Sequence, residues 1–121
     1  MSFFCHATLT VRDLDACVRF YNEVVGLPID RRGPAGPDGE LAFLGDGETK
    51  VELVCYKGGP DTIVGNGACL GFRVESVPET LERLKDGGVP VVSDIIQPNP
   101  QVRFFYASDP DGFRVQFVEY L

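Results

Sequence analysis

The sequence holds a single histidine, His6. That scarcity excludes any metal centre built on two imidazoles of one chain, such as the two-histidine, one-carboxylate set that holds ferrous iron. No apolar run approaches the length that spans a bilayer. The opening Met1-Ser2-Phe3-Phe4-Cys5-His6 lacks the basic-then-apolar order of a secretion signal. The expectation is a cytoplasmic protein with no membrane partner. The cysteines Cys5, Cys17, Cys55 and Cys69 include no CxxC pair, so free thiols are expected rather than a disulfide framework. Positive charge is short as well: 11 Lys and Arg against 18 Asp and Glu leave a net charge of −7. Phosphate backbones would be repelled, and nucleic acid is not an expected partner. Acidity of this kind serves solubility, and a local arginine can still hold an anion.

What is present is an ordinary globular composition, 44% hydrophobic and 24% charged over 121 residues, the size of one domain. It is organised as a repeat. The segment from Cys5 to Leu14 overlays that from Ala68 to Val77 at an offset of 63, setting Leu9 on Phe72, Val11 on Val74 and Leu14 on Val77. Asp13 falls on Ser76, and both residue types cap helices. Gly26-Leu27-Pro28 matches Gly88-Val89-Pro90 at an offset of 62, and Lys50–Val54 matches Arg114–Val118 at 64. Loop insertions produce such drift.

Each half reads as strand, amphipathic helix and three strands. In the first, strands are predicted near 4–11, 28–32, 40–44 and 50–56; in the second, near 69–75, 89–93, 102–107 and 113–120. Leu14, Cys17, Val18, Tyr21 and Val24 recur at helical spacing, as do Val77, Leu81 and Leu84. Gly26 and Gly87-Gly88 stop the two helices. The expected fold is α+β: two βαβββ modules, about 1–56 and 68–121 with a linker at 57–67, forming a curled mixed sheet around a central cavity with the helices outside.

Alternation along each strand sorts its two faces. Cys5, Ala7, Leu9 and Val11 oppose His6, Thr8 and Thr10; Val51 and Leu53 oppose Glu52; Val115 and Phe117 oppose Gln116. The apolar faces need cover from the helices. The mixed faces carry His6 with its repeat mate Cys69, and Glu52 with Gln116, all with metal-capable or hydrogen-bonding side chains.

Four segments in order, Phe20-Tyr21-Asn22-Glu23-Val24-Val25-Gly26-Leu27 with Arg31-Arg32, Leu41–Gly45 followed by Val51-Glu52-Leu53, Leu70–Val74, and Asp109-Pro110-Asp111-Gly112-Phe113, resemble the glyoxalase, bleomycin-resistance and extradiol-dioxygenase (vicinal-oxygen-chelate) superfamily. The resemblance spans essentially the whole chain and does not fix an activity. It implies one divalent ion held by a first-strand His or Gln, a fourth-strand carboxylate, a fifth-strand histidine and a last-strand glutamate. Carried over by position, these are His6, Glu52, Cys69 and Gln116; the first two match and the last two depart. In glyoxalase-like relatives the metal polarises vicinal oxygens and a ligand carboxylate moves a proton. An amide cannot be that base, which leaves Glu52 as the candidate catalytic residue. A thiolate at Cys69 suits zinc and not magnesium, and the single histidine argues against extradiol dioxygenase chemistry.

Three functions compete. The first is a small-molecule binding protein without a complete metal site, like the drug-sequestering members of the superfamily, with His6, Cys69, Gln116, Arg73, Arg103, Phe105 and Tyr106 as binding residues. The second is a lyase or isomerase like glyoxalase I, using one zinc or nickel at His6 and Glu52. The third is an interaction module whose cavity is filled by Phe105, Tyr106 and Arg73. The structural alternative for Glu52 is an ion pair with Arg73, Arg103 or Arg114; for Cys69 it is a small buried hydrophobe. A homodimer is expected, as is common in the superfamily.

Overall fold

In the computed structural model, residues 1, 4–58 and 67–121 are described. The chain divides into two compact units, Met1–Ile63 and Val64–Leu121. Most of the expected linker, residues 59–66, lies outside the described residues.

Module one runs β1 (His6–Thr10), α1 (Leu14–Arg19), a π-helical turn (Phe20–Val24), β2 (Ile29–Pro34), β3 (Gly39–Leu44) and β4 (Lys50–Tyr56). Its sheet has the order β1-β4-β3-β2, parallel between β1 and β4 and antiparallel elsewhere. Module two repeats this with β5 (Leu70–Arg73), α2 (Val77–Asp86), β6 (Ile96–Asn99), β7 (Val102–Ser108) and β8 (Arg114–Tyr120), in the order β5-β8-β7-β6. Each module is thus an open mixed sheet with one helical segment, the α+β arrangement read from the repeat.

The helices begin where the repeat places them. Asp13 accepts the Ala16 N–H at 3.1 Å, and Ser76 accepts the Glu79 N–H at 3.3 Å. Each side chain satisfies a donor that the first helical turn leaves without a partner. The helices end at Gly26 (φ 95°) and close to Gly88 (φ 73°), a left-handed conformation that glycine adopts without the clash a Cβ would bring.

Each helix covers the apolar face of its own sheet, α1 on β3 and β4, α2 on β7 and β8. Cys17, Tyr21, Ala42, Leu44 and Leu53 are fully buried in module one; Val77, Phe105, Ala107, Val115 and Phe117 are in module two. Phe105 and Phe117 stack with ring centroids 5.4 Å apart.

One strand is displaced from its expected place. Residues 89–93 form no strand; Val91 makes only an isolated bridge to Ala107, and the fourth strand of the sheet is Ile96–Asn99, in a stretch expected to be partly loop. The cause is local. The Ser93 hydroxyl takes the Tyr106 N–H at 2.9 Å, a donor that a ladder carbonyl would otherwise accept. Pro98, which cannot donate, is tolerated because β6 is an edge strand.

Candidate functional site

With the apolar face of each sheet under its helix, the other face is left to hold polar side chains. In module one, register aligns a row across all four strands: Thr8 opposite Glu52, Glu52 opposite Phe43, and Phe43 opposite Arg31. Thr8 donates to Glu52 Oε1 at 2.6 Å, and His6 Nε2 lies 3.8 Å from the same oxygen. The Glu52 side chain is only 16% exposed, so these neighbours fix it in a partly water-excluded place, where a carboxylate needs partners. The His6 ring meets Phe43 edge-on at 5.6 Å, and the Arg31 guanidinium sits 4.5 Å from the Phe43 ring centroid. Cys5 Sγ lies 3.4 Å from His6 Nδ1, on the other side of the imidazole from Glu52.

Module two carries the corresponding row, Gly71 opposite Gln116 and Gln116 opposite Tyr106. Gly71 takes the place of Thr8. A Cβ there would stand 3.0 Å from Gln116 Oε1, so the amide lies over the bare backbone of Gly71 where Glu52 has a hydroxyl partner. Arg114 stacks on Tyr106 at 5.3 Å, Arg73 on Tyr120 at 5.4 Å, and Phe104 meets Tyr106 edge-on at 5.7 Å. Partial burial pushes the Cys69 thiol up from its ordinary pKa, against the opposing pull of the nearby Arg114 charge and a hydrogen bond from the Gln116 backbone.

The sequence-predicted residues therefore separate. His6 and Glu52 meet on the uncovered face of module one; Gln116, Tyr106 and Arg73 share the uncovered face of module two. Arg103 and Phe105 do not join them. Phe105 is fully buried in the helix-covered core, because neighbours on a strand point to opposite faces and Tyr106 takes the uncovered one. It therefore cannot plug a cavity on that face. Arg103 makes a two-pronged ion pair with Glu119, both bonds 3.1 Å, and Glu119 Oε1 also accepts the Val77 N–H at 2.6 Å. Arg103 thereby anchors the start of α2. These bonds, the one from Arg103 first, hold the Glu119 carboxyl below the usual carboxylate range. Thr8, Phe43, Arg31 and Arg114, which lie beside these side chains, were not among the expected site residues. Alternation had put Thr8 beside His6, but the Phe43–Glu52 alignment needs the register across strands.

Module one also has a groove of about 700 Å³ at one end of its helix-covered side, bordered by Arg12, Leu14, Arg32, Glu40 and Cys55. Arg32 there is tied to Asp15 at 2.9 Å and to Glu40 at 3.5 Å.

The family model described as Glyoxalase/Bleomycin resistance protein/Dioxygenase superfamily matches residues 4–117. The chain belongs to this superfamily. Among superfamily relatives, a "Probable lactoylglutathione lyase" from Synechocystis is 29% identical over 97% of this chain and 95% of its own length. A lactoylglutathione lyase from Haemophilus influenzae is 31% identical over 94% and 90%. Of solved superfamily structures, the Leishmania major glyoxalase I superposes with a TM-score of 0.83 at 25% identity, covering 98% of this chain and 87% of that one.

For the divalent ion that the superfamily resemblance implies, the donor set fits only in part. The His6–Glu52 separation of 3.8 Å is a few tenths wider than the roughly 3.4 Å between two tetrahedral ligands of zinc, so a small side-chain adjustment would let both bind. Gln116 offers only a neutral amide oxygen, and the thiol of Cys69 is disfavoured as thiolate. Among the described residues, no three His, Cys, Asp or Glu side chains stand together as an ion would require. No helix among them is long and apolar enough to cross a membrane.

Proposed function

We propose that this protein binds a small molecule against the uncovered sheet faces of its modules, without the complete four-donor metal centre of the superfamily. The observation that carries the reading is the contrast within the repeat. Glu52 is fixed by Thr8 and adjoined by His6, whereas the matching place in module two holds an amide laid over Gly71. Glu52 and His6 supply a hydrogen-bonding centre on module one. Gln116, Tyr106 and the arginines supply donors and ring surface on module two, the mixture of apolar wall and few directed polar groups that small-molecule sites use. The ligand is held by these groups in a cytoplasmic homodimer.

The second reading is a lyase, favoured by the names of the relatives. In it His6 and Glu52 hold one zinc or nickel, whose Lewis acidity would act on paired substrate oxygens. Glu52, the one carboxylate among the four candidate positions, would carry the proton, and Thr8 would keep it oriented.

Elemental mass spectrometry after dialysis against zinc, nickel, manganese and iron in turn, paired with a lactoylglutathione lyase assay, separates the two. The binding reading expects no near-stoichiometric metal and no turnover, with aromatic ligands raising the melting temperature. Stoichiometric metal lost in both His6→Ala and Glu52→Ala, together with turnover, replaces it with the lyase.

A further inference from the structure

Some arginines of the chain are tied to carboxylates, and others, Arg31 in module one among them, lie over aromatic rings. Arg32 and Arg103 are matched to carboxylates. Arg73 and Arg114 are not: among the described residues each meets an aromatic ring and no carboxylate within ion-pair distance. Both lie on the uncovered face of module two, and the only carboxylate on β8, Glu119, points to the other face and is consumed by Arg103. In a chain of net charge −7, two cations on one face with no ion-pair partner among the described residues stand out.

The group between them is Gln116. Along β8 it lies midway between Arg114 and Val118, the partner of Arg73. Its side-chain amide has no hydrogen-bond partner among the described residues, so its N–H pair is free to donate. A carboxylate at this position would have neutralised Arg114; an amide leaves the charge available and adds donors. Stacking on Tyr106 holds the guanidinium by its face and leaves its N–H edge open, the edge that pairs with a planar carboxylate. The edge-to-face pair of Phe104 and Tyr106 offers ring surface in the next position toward Arg73.

We infer that this face of module two selects a carboxylate attached to an aromatic ring, with the Arg114 fork and the Gln116 amide holding the carboxylate and Phe104 and Tyr106 holding the ring. The inference rests on the small-molecule reading and narrows it to aryl acids.

The test is a set of NMR titrations of the full chain with matched pairs, benzoate against benzamide and phenylacetate against phenylacetamide. The acids are expected to perturb β7 and β8 resonances and to bind about tenfold or more tightly than the amides, as a charge-assisted pair contributes. The preference should weaken with salt. Arg114→Gln should abolish it, and so should Gln116→Glu, which sets a like charge beside the ligand; a thermal melt of each variant checks that it is folded. Equal binding of acids and amides, or a preference that survives in folded Arg114→Gln, overturns the inference while the small-molecule reading stands. Acids that fail to bind up to millimolar concentration overturn it too; the broader reading falls only if the amides and a wider set of neutral aromatic compounds also fail.

Discussion

The two modules bury the same kind of core with the large side chains in opposite places. In module one the helical segment contributes Tyr21 and the strands contribute Ala42 opposite Leu53. In module two the helix contributes Leu84 and the strands contribute Phe105 opposite Phe117. These positions correspond through the repeat, Tyr21 with Leu84, Ala42 with Phe105 and Leu53 with Phe117, and all six are at most 1% exposed. One module buries a ring from its helical segment and a small residue on its strand; the other buries a leucine from its helix and rings on its strands. Interiors are packed at near-crystalline density, so what is preserved between the halves is the filled volume, and the residues at any one position are free to differ if their neighbours compensate.

That complementarity can be broken most severely in module two. Phe105→Ala removes one ring of the stacked pair and should cost about 3–5 kcal/mol, read from urea or thermal unfolding. A loss below 1 kcal/mol would mean that the Phe105 site collapses freely and that volume matching is not the constraint. A sharper test imposes the module-two solution on module one. Ala42→Phe should overpack the core at a cost of about 1–3 kcal/mol, and Tyr21→Leu in the same chain should recover part of it. A double-mutant cycle with no coupling would show that the two positions do not share space.

The helix caps test where the modules agree. Asp13→Ala and Ser76→Ala should each cost about 1 kcal/mol; unequal losses would show that one helix start leans on other support. Module two has such support, because Glu119 binds the Val77 N–H and Arg103, while Cys55 opposite Glu40 fills the matching register in module one and borders the groove. The final prediction concerns pH. The Glu119 carboxyl is held below its ordinary range when folded. Its contribution is therefore full above the unfolded value, near pH 4.3, and is lost as pH falls through the lower folded value. Glu119→Gln should flatten the fall of stability with acid below about pH 4.3; an unchanged slope between wild type and variant would refute that linkage.

Much of this architecture was legible in the sequence because the repeat doubled each weak indication. Asp13 and Ser76, Gly26 and Gly88, and the alternation around Glu52 and Gln116 each pointed to an element in two places at once. The displaced edge strand was not legible: the apolar run from Val89 to Val92 has strand character, and the Ser93 hydroxyl's capture of the Tyr106 N–H interrupts the ladder. Arg103 and Phe105 were grouped with Tyr106 by chemistry, although their place on alternate faces follows from counting along β7. The row linking Thr8, Glu52, Phe43 and Arg31 depends on register between strands distant in sequence, which a hydrophobic pattern along one strand cannot supply. The superfamily was likewise legible from its ordered motifs, while the donor set at His6, Glu52, Cys69 and Gln116 already departed from the superfamily pattern at its second half.

The parallel pairing of the first strand with the last in each module has a consequence for how the chain is assembled. His6 is hydrogen-bonding neighbour to a strand that begins at Lys50, so β1 has no place to dock until nearly all of its module has been made. On a ribosome the first strand of the module is then the last to be seated, and the same delay is repeated for β5 and β8. Closing such long loops before any pairing rewards them slows folding. The helix and the β2–β3–β4 meander, whose neighbours are near in sequence, are the parts free to form while the opening strand waits.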